Sequence, residues 1–524
     1  MKVILLILDG WGVSPQKRGN AIANASLPTF DYVRRFYPSF LLKASGISVG
    51  LPWGEPGNSE VGHFALGSGQ VILHYMPRIL KSIQDGSFFE NEALKGAVDQ
   101  VKRYDSMLHF VGLLGSGSVH SYVEHIYGLL DLAKRNGLSQ KVRLHLFTDG
   151  KDSPPQEAAT MVKNLCETID ASALGKVATF VGRDYGMDRD FNWDKTKKAF
   201  DLITKGEGEK TLDPIAQIES YYRQGFSDNQ LPPTVIVDKE GLPLGLVSPF
   251  DSVVFFDYRE DSARQLTKAF VLPDKVDFHP SVPEHLFFVT FSRYDPSFPV
   301  YVAFEPPHVA NTLADILAFY RKLQLHIAET QKYAHATFFF NGMREERHSN
   351  EDWVIIPSYE GNPIDRPEMR MPEITQILVS EIEKETYAFV VANFAAPDIV
   401  AHTGNFAATI KACQSVDNNL AELVKAIERQ DEYALIVTAD HGHAEGMIDL
   451  ASEKPLTEHT SNDVPLYLIH PALKKERSAL DVFTQKQDQG FLLADVAPTI
   501  LEMLGIPAPH GLNGKSLYFS LRLP

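Results

Sequence analysis

Three aspartates stand just behind short apolar runs, where a carboxylate could do chemistry. Asp9 follows KVILLIL, Asp398 follows YAFVVANFAAP, and Asp440 follows ALIVTA. In open α/β sheets, ligands bind beyond the carboxyl ends of the strands. A lone Asp in such a place is as readily a helix cap or a turn former. Two of the three, however, have histidine beside them. Asp398 and His402 lie four positions apart in PDIVAHTG, which puts both on one helical face. Asp440 and His441 are adjacent in TADHGH, where a glycine-containing turn can present neighbouring ligands to one ion, and His459 follows in LTEHTSN. Carboxylate with imidazole suits Zn²⁺ or Mn²⁺ better than the all-oxygen shell of Ca²⁺. Each residue alone reads as an ordinary turn or surface residue. Their joint occurrence points to metal.

A metal site makes a nearby hydroxyl interesting. The stretch GEPGNSEVGHFALGSG is loop-like at first and turns helical near Ser59. A helix N-terminus offers free N–H groups and the positive end of a dipole, which suits a phosphate. A serine there attacks phosphorus if a metal lowers the pKa of its hydroxyl. Without the metal ligands, the same residues read as plain N-capping by Asn58 or Ser59, with Glu60 in the first turn.

The middle third carries a second pattern, in which apolar runs end in basic loops. GSGSVHS brings His120, and TDGKDSPP brings Asp149, Lys151 and Asp152. GRDYGMDRD brings Arg183 and Arg189, and FFDYREDSAR brings Arg259, Asp261 and Arg264. Converging Arg and Lys hold phosphate and carboxylate groups, since Arg matches both bidentately. His120 and Asp152 are candidate proton-transfer groups, because phosphoryl transfer between oxygens deprotonates one hydroxyl and protonates another.

The elements that must position these residues are legible as runs. Strands are expected at Val3–Leu8, Leu108–Leu113, Arg143–Phe147, Val177–Val181, Val253–Phe256, Ala336–Phe340, Ala388–Asn393 and Ala434–Thr438. Helices are expected at Tyr122–Asn136, Asp194–Thr204, Ala407–Gln430 and Leu492–Leu504, the last stopped by Gly505 and Pro507. Strands alternating with helices indicate an α/β fold with largely parallel sheets. A length of 524 residues asks for two or three domains. The segment Pro280–Pro307, rich in Pro, Ser and aromatics, reads as a crossing between domains, with a second near His74–Pro77. The expected arrangement is an outer domain of residues 1–75 and 306–524 with residues 76–305 inserted.

Composition limits the function further. A formal net charge of -17, with 44% hydrophobic and 22% charged residues, argues against nucleic-acid or anionic-membrane partners. The apolar run after the first residues stops at Asp9, too short for a secretion signal, and no stretch approaches a membrane span. A cytoplasmic monomer is expected. The two cysteines, Cys166 and Cys413, read as small buried hydrophobes.

Taken in order, the motifs resemble those of the cofactor-independent (2,3-bisphosphoglycerate-independent) phosphoglycerate mutases of the alkaline phosphatase superfamily. They are ILDGWG, GNAIANA, GNSEVGH, VHS around His120, GRDYGMDRDFNW, AETQKYAHATFFFNG, PDIVAHTGN, TADHG, HTSNDVP and LADVAPTILEMLGIP, spanning nearly the whole chain. The resemblance implies an alkaline-phosphatase-like outer domain with two divalent ions, Mn²⁺ expected, and an inserted α/β phosphotransferase domain, with no organic cofactor. It places Asp398, His402 and His459 on one ion, and Asp9, Ser59, Asp440 and His441 on the other. It makes Ser59 the residue that is phosphorylated, and puts His120, Lys151, Asp152, Arg183, Arg189, Arg259 and Lys332 against the substrate. That substrate is a small phosphorylated hydroxy acid, and the implied reaction interconverts 3-phosphoglycerate and 2-phosphoglycerate.

The chain departs from the family pattern at Lys151, Ser262 and Gln70, where Arg is usual, and at His443, where Asn is usual. GSGSVHS replaces SDGGVHS. The metal set and Ser59 are untouched, so the departures gather on substrate positions. They open a second reading, a phosphohydrolase or a mutase of another small phosphate ester. A binding protein without activity would show erosion of the metal ligands or of Ser59, and neither is eroded.

Overall fold

The computed structural model describes residues 1–306, 309–449, 452–478 and 490–522. They form two compact units, Met1–His74 with His308–Pro524, and Tyr75–Pro307. In chain order the strands are β1 (Lys2–Leu8), β2 (Ser39–Lys43), β3 (Leu108–Leu114), β4 (Val142–Thr148), β5 (Lys176–Gly182), β6 (Glu209–Thr211), β7 (Thr234–Ile236) and β8 (Ser252–Phe255). There follow β9 (Phe287–Thr290), β10 (Tyr301–Val302), β11 (Gln324–Glu329), β12 (Glu351–Ile356), β13 (Phe389–Phe394), β14 (Tyr433–Thr438), β15 (Val464–Ile469) and β16 (Phe491–Leu492).

The first unit has one eight-stranded sheet of order β12-β11-β13-β1-β14-β15-β2-β16. The run Val3–Leu8 is fully buried on both faces of β1, which lies near the middle of the sheet. It pairs in parallel with β13 and β14, Leu8 opposite Phe394 and Ile7 opposite Thr438. The three strands therefore end at one edge, and the residues just after them share that edge. Beyond β14 the sheet turns antiparallel, β15 against β14 and β2 against β15. The expected helix at Ala407–Gln430 runs Phe406–Ile427, with Asn405 capping the Ala408 N–H. Its buried Asp417 accepts the Thr29 and Phe30 N–H groups, and so caps a second helix, Pro28–Phe36, that has no side-chain cap of its own.

Two expectations need correction in this unit. Ala336–Phe340 is not a strand: His335–Phe339 forms a π-helical turn, with Ala336, Thr337 and Phe340 buried. Short apolar runs do not distinguish the two periods. The strand of this region is instead β11, QLHIAE, second from the edge between β12 and β13, and its buried polar residues hide it from a hydrophobicity reading. They are satisfied locally, Gln324 by the Ala314 carbonyl and His326 by the Ala336 carbonyl. The C-terminal helix starts later than Leu492, at Val496. Leu492 belongs to β16, opposite Lys43, and Asp495 turns the chain by accepting the Leu492 N–H. Gly505 ends the helix in the left-handed region, φ 70°.

The second unit has its own eight-stranded sheet, β10-β9-β8-β3-β4-β5-β7-β6. Strands β8, β3, β4 and β5 are neighbours and parallel, so the loops after them emerge along one edge. The proline-rich stretch Pro280–Pro307 contains β9 and β10 of this sheet. Helices Val123–Arg135 and Trp193–Lys205 stand where the periodicity asks for them.

In the first unit the helix Ser59–Ser68 is glycine-dependent. A Cβ on Gly67 would lie 2.0 Å from the Phe340 carbonyl oxygen, and one on Gly62 would lie 2.4 Å from that of Asp440. Gly67→Ala is expected to cost about 1–3 kcal/mol by overpacking against backbone that cannot yield. Urea unfolding would show it. A variant as stable as the parent would mean that the π turn is not held against this helix.

Candidate functional site

The centre of the first unit is built at the shared edge of β1, β13 and β14. Asp9 follows β1 directly, and Gly10 turns the chain away at φ 72°. A Cβ on Gly10 would lie 2.9 Å from the Asp398 Cβ, so glycine is what lets the two aspartates approach. Asp398 sits in the first turn of the short helix Ala396–Ala401 behind β13, and His402 lies one turn on. Its Nε2 is 3.4 Å from Asp398 Oδ1, as is the Nε2 of His459. Asp440 and His441 follow β14, and both are fully buried.

Tautomers are set from outside. His402 Nδ1–H donates to the Thr457 carbonyl at 2.9 Å, and His459 Nδ1–H donates to that of Gly57 at 3.0 Å. Both Nε2 lone pairs are thereby turned inward, 3.1 Å apart. The loops carrying these groups meet on the buried Glu445. It accepts N–H groups from Gly12 and His443 at 2.9 Å, the Asn462 amide at 3.0 Å, and the Thr460 hydroxyl.

Ser59 opens its helix with Asn58 as the cap, so the residue read as nucleophile also stands at the free N–H end. Its Oγ is 3.2 Å from Asp9 Oδ1 and 3.0 Å from His441 Nε2. The buried Lys332 Nζ donates to Ser59 Oγ at 2.6 Å, to Asp9 Oδ1 at 2.6 Å and to Asp398 Oδ2 at 2.7 Å. A hollow of about 400 Å³ opens over Ser59, Lys332, Asp398, His402 and His459.

The charges do not balance without cations. Burial opposes charge on Lys332, but Asp9, Asp398 and Asp440 outweigh it and raise its pKa. Burial likewise opposes charge on His441, yet Asp440, Asp9 and Asp398 push it up to about 9. For Asp398, burial favours the neutral form, but Lys332 and the surrounding histidines hold it well below the carboxylate range. Among the described residues, donor atoms within 4.8 Å of one another occur in three overlapping groups: Asp398–His402–His443–His459, Asp9–His63–Asp440 and Asp9–Asp398–His441. Buried carboxylates with inward imidazole lone pairs fit divalent metal binding.

Reading by sequence passed over His63. It lies four residues after Ser59 on the same helix, so the spacing used for Asp398 and His402 would have found it. Its Nδ1 is 2.9 Å from the Ser59 carbonyl and 3.1 Å from Asp440 Oδ2, and its Nε2 takes the Asn393 amide at 2.9 Å. Glu445 and Asn393 carried no local signal at all.

The second unit gathers its predicted residues at the edge of β8, β3, β4 and β5. Arg183 is buried and reaches Asp149 at 2.5 Å, Asp152 at 2.6 Å and His120 Nε2 at 2.9 Å. Lys151 pairs with Asp184 at 2.5 Å. Arg189 and Arg259 converge on Asp261 Oδ2 at 2.6 and 3.2 Å. Ser262 is buried and its hydroxyl donates to Asp261, while Arg264 donates to the Tyr294 carbonyl. Arg264 is therefore turned to other work and supplies no second guanidinium beside Arg259. In the first unit, Gln70 donates to the Ala310 carbonyl.

Two outcomes are expected. Lys332→Met removes the buried countercharge and should destabilise the ion-free protein by about 3–5 kcal/mol. Mn²⁺ should narrow that gap in the melting temperature, because an ion takes over the compensation. Equal stability of variant and parent in EDTA would contradict it. At His120, burial and the Arg183 charge push the pKa down to about 4. Its contribution to stability is whole above about pH 6.5, the unperturbed value, and is lost as pH falls through about 4. His120→Asn should flatten the acid limb of the stability profile across that window, read by chemical denaturation at several pH values.

Residues 1–508 match a family model described as the Metalloenzyme superfamily. The 2,3-bisphosphoglycerate-independent phosphoglycerate mutase of Thermomicrobium roseum is 43% identical over 518 residues, covering 98% of this chain and 97% of the relative. That of Clostridium novyi is 42% identical over 519 residues, covering 98% and 99%. Among solved structures, Leishmania mexicana phosphoglycerate mutase at low cobalt concentration is similar with a TM-score of 0.57 and 28% identity, covering 98% of this chain and 97% of that one. With that similarity running from end to end, and a buried carboxylate–imidazole centre to go with it, the chain belongs to the 2,3-bisphosphoglycerate-independent phosphoglycerate mutases of the Metalloenzyme superfamily.

Proposed function

We propose that the protein interconverts 3-phosphoglycerate and 2-phosphoglycerate through a phosphoserine at Ser59. The observation that carries this is the Ser59 hydroxyl: it stands at a helix N-terminus, 2.6 Å from the Lys332 ammonium, among Asp9, Asp440 and His441. Asp398, His402 and His459 would hold one divalent ion, and Asp9, Ser59, Asp440 and His441 a second, both Mn²⁺. When bound, these ions supply Lewis acidity to the phosphoryl group and to the serine hydroxyl. Lys332 stabilises the oxygen of Ser59 as its proton leaves, and the free N–H groups of the helix face the transferred phosphoryl group.

In the forward half, Ser59 gives up its proton to solvent, a bond forms between Ser59 Oγ and phosphorus as the substrate's ester oxygen–phosphorus bond breaks, and the released alkoxide takes a proton that Asp152 relays from solvent. In the return half the other hydroxyl of glycerate gives its proton to Asp152 and takes the phosphoryl group as the Ser59 Oγ–phosphorus bond breaks and Ser59 regains a proton. We assign this proton traffic to His120 and Asp152. Burial and the Arg183 charge keep His120 neutral at pH 7 with Nε2 accepting from Arg183, so its Nδ1–H is the group that can donate to the substrate oxygen whose proton Asp152 relays. Lys151, Arg183, Arg189 and Arg259 would hold the carboxylate and phosphate of the substrate. On this reading the first unit is the metal-binding, phosphatase-like domain and the second the inserted substrate domain. Among the described residues no helix is long and apolar enough to cross a membrane, in line with a glycolytic role in the cytoplasm.

One observation favours a second reading. Ser262 is buried and Arg264 is engaged with Tyr294, so the substrate cluster lacks a guanidinium that the family usually has. A phosphohydrolase, or a mutase of another small phosphate ester, would need no such group. With Mn²⁺ and 3-phosphoglycerate, formation of 2-phosphoglycerate without free phosphate supports the mutase; free phosphate, or no product, supports the second reading. Ser59→Ala should abolish turnover under either, by at least about a thousandfold, as removal of a nucleophile does. Retained activity in that variant would overturn the assignment.

A further inference from the structure

His443 is the member of the Asp398–His402–His443–His459 group that the resemblance does not account for. Its side chain is fully buried, and its Nδ1 lies 2.7 Å from Asp398 Oδ1. That is the same carboxylate oxygen that His402 and His459 approach, each at 3.4 Å. Two ligand atoms sharing a tetrahedral ion at about 2.0–2.1 Å stand roughly 3.4 Å apart. His402 and His459 meet that spacing with Asp398, whereas His443 stands at the length of a charge-assisted N–H···O⁻ hydrogen bond. The other ring nitrogen, Nε2, has no hydrogen-bond partner among the described residues, so no second polar contact there competes for the ring. The backbone is held as well, since the His443 N–H donates to Glu445.

We propose that His443 is a positioning residue of the Asp398 cation site: its Nδ1–H fixes the rotation of the Asp398 carboxylate, while Lys332 holds the opposite oxygen. The ring also packs against His402 and His459, with centroids 4.4 and 5.1 Å away. It thus walls the two imidazoles that complete the site. Among the described contacts, His443 makes no hydrogen bond to Asp9, Asp440 or His441, so its direct contact is with one of the two ligand sets. Donors to a ligating carboxylate typically govern affinity by 10–100-fold. The inference rests on the two-ion reading above.

The test is Mn²⁺ titration of the full chain followed by the free-ion electron paramagnetic resonance signal, with pulsed measurements of the bound imidazole nitrogens. His443→Ala should weaken one Mn²⁺ site about 10–100-fold, leave the other unchanged, and keep the number of ligating imidazoles. His443→Asn, which retains an N–H donor, should recover part of the affinity. Melting in EDTA separates a loss of fold from a loss of site. Unchanged affinity in the alanine variant overturns the proposal. So does equal weakening of both sites, which marks a merely structural role, and so does loss of one imidazole, which makes His443 a ligand. A parent chain that binds no Mn²⁺ would sink the two-ion reading and this inference with it.

Discussion

Everything around the first centre follows from one electrostatic constraint, the burial of Asp9, Asp398 and Asp440 within reach of one another. Carboxylates removed from water need countercharge close by, because desolvation otherwise drives them neutral. The protein supplies Lys332, whose ammonium touches two of the three aspartates, and places His441 among all three. The remaining demand is what a divalent cation meets. Gly10 brings Asp9 against Asp398, and Gly62 brings the Ser59 helix against the Asp440 backbone. Glu445 ties together the loops that carry these residues.

The second unit balances its charges within the protein. There four cations meet four aspartates: Arg183 meets Asp149 and Asp152, Lys151 meets Asp184, and Arg189 and Arg259 share Asp261. Burial sorts these pairs. Arg183 is interior, and its charge adds to burial in keeping His120 neutral. The side chains of Arg189 and Arg259 are about half exposed, at 55% and 47%, so an anionic ligand can compete with Asp261 for them at small cost. Ser262 adds no charge to this group.

What could be read locally was read correctly where the signal itself is local. The apolar runs of β1, β3, β4, β5, β8, β13 and β14 are strands because they are buried on both faces. The four-residue spacing of Asp398 and His402 is a helical turn, and Asn58–Ser59 is a helix start. The errors arose where one pattern serves two structures. Ala336–Phe340 is apolar enough for a strand and forms a π turn, whereas β11 is a strand whose Gln324, His326 and Glu329 disguise it.

The amino-acid order by itself determined which groups exist and what chemistry they have: carboxylates behind strands, imidazoles at chelating distance along the chain, a serine at a helix start, and basic loops after parallel strands. Those follow from covalent spacing and from hydrophobic period. The meeting of Asp9, Ser59, Lys332, Asp398 and Asp440, and the recruitment of His63, His443, Asn393 and Glu445, belong to the tertiary structure alone. Strand order β11-β13-β1-β14 is what brings residues hundreds of positions apart to one edge. No local period encodes that order, because it is the joint burial of both sheet faces, and not any single segment, that selects it.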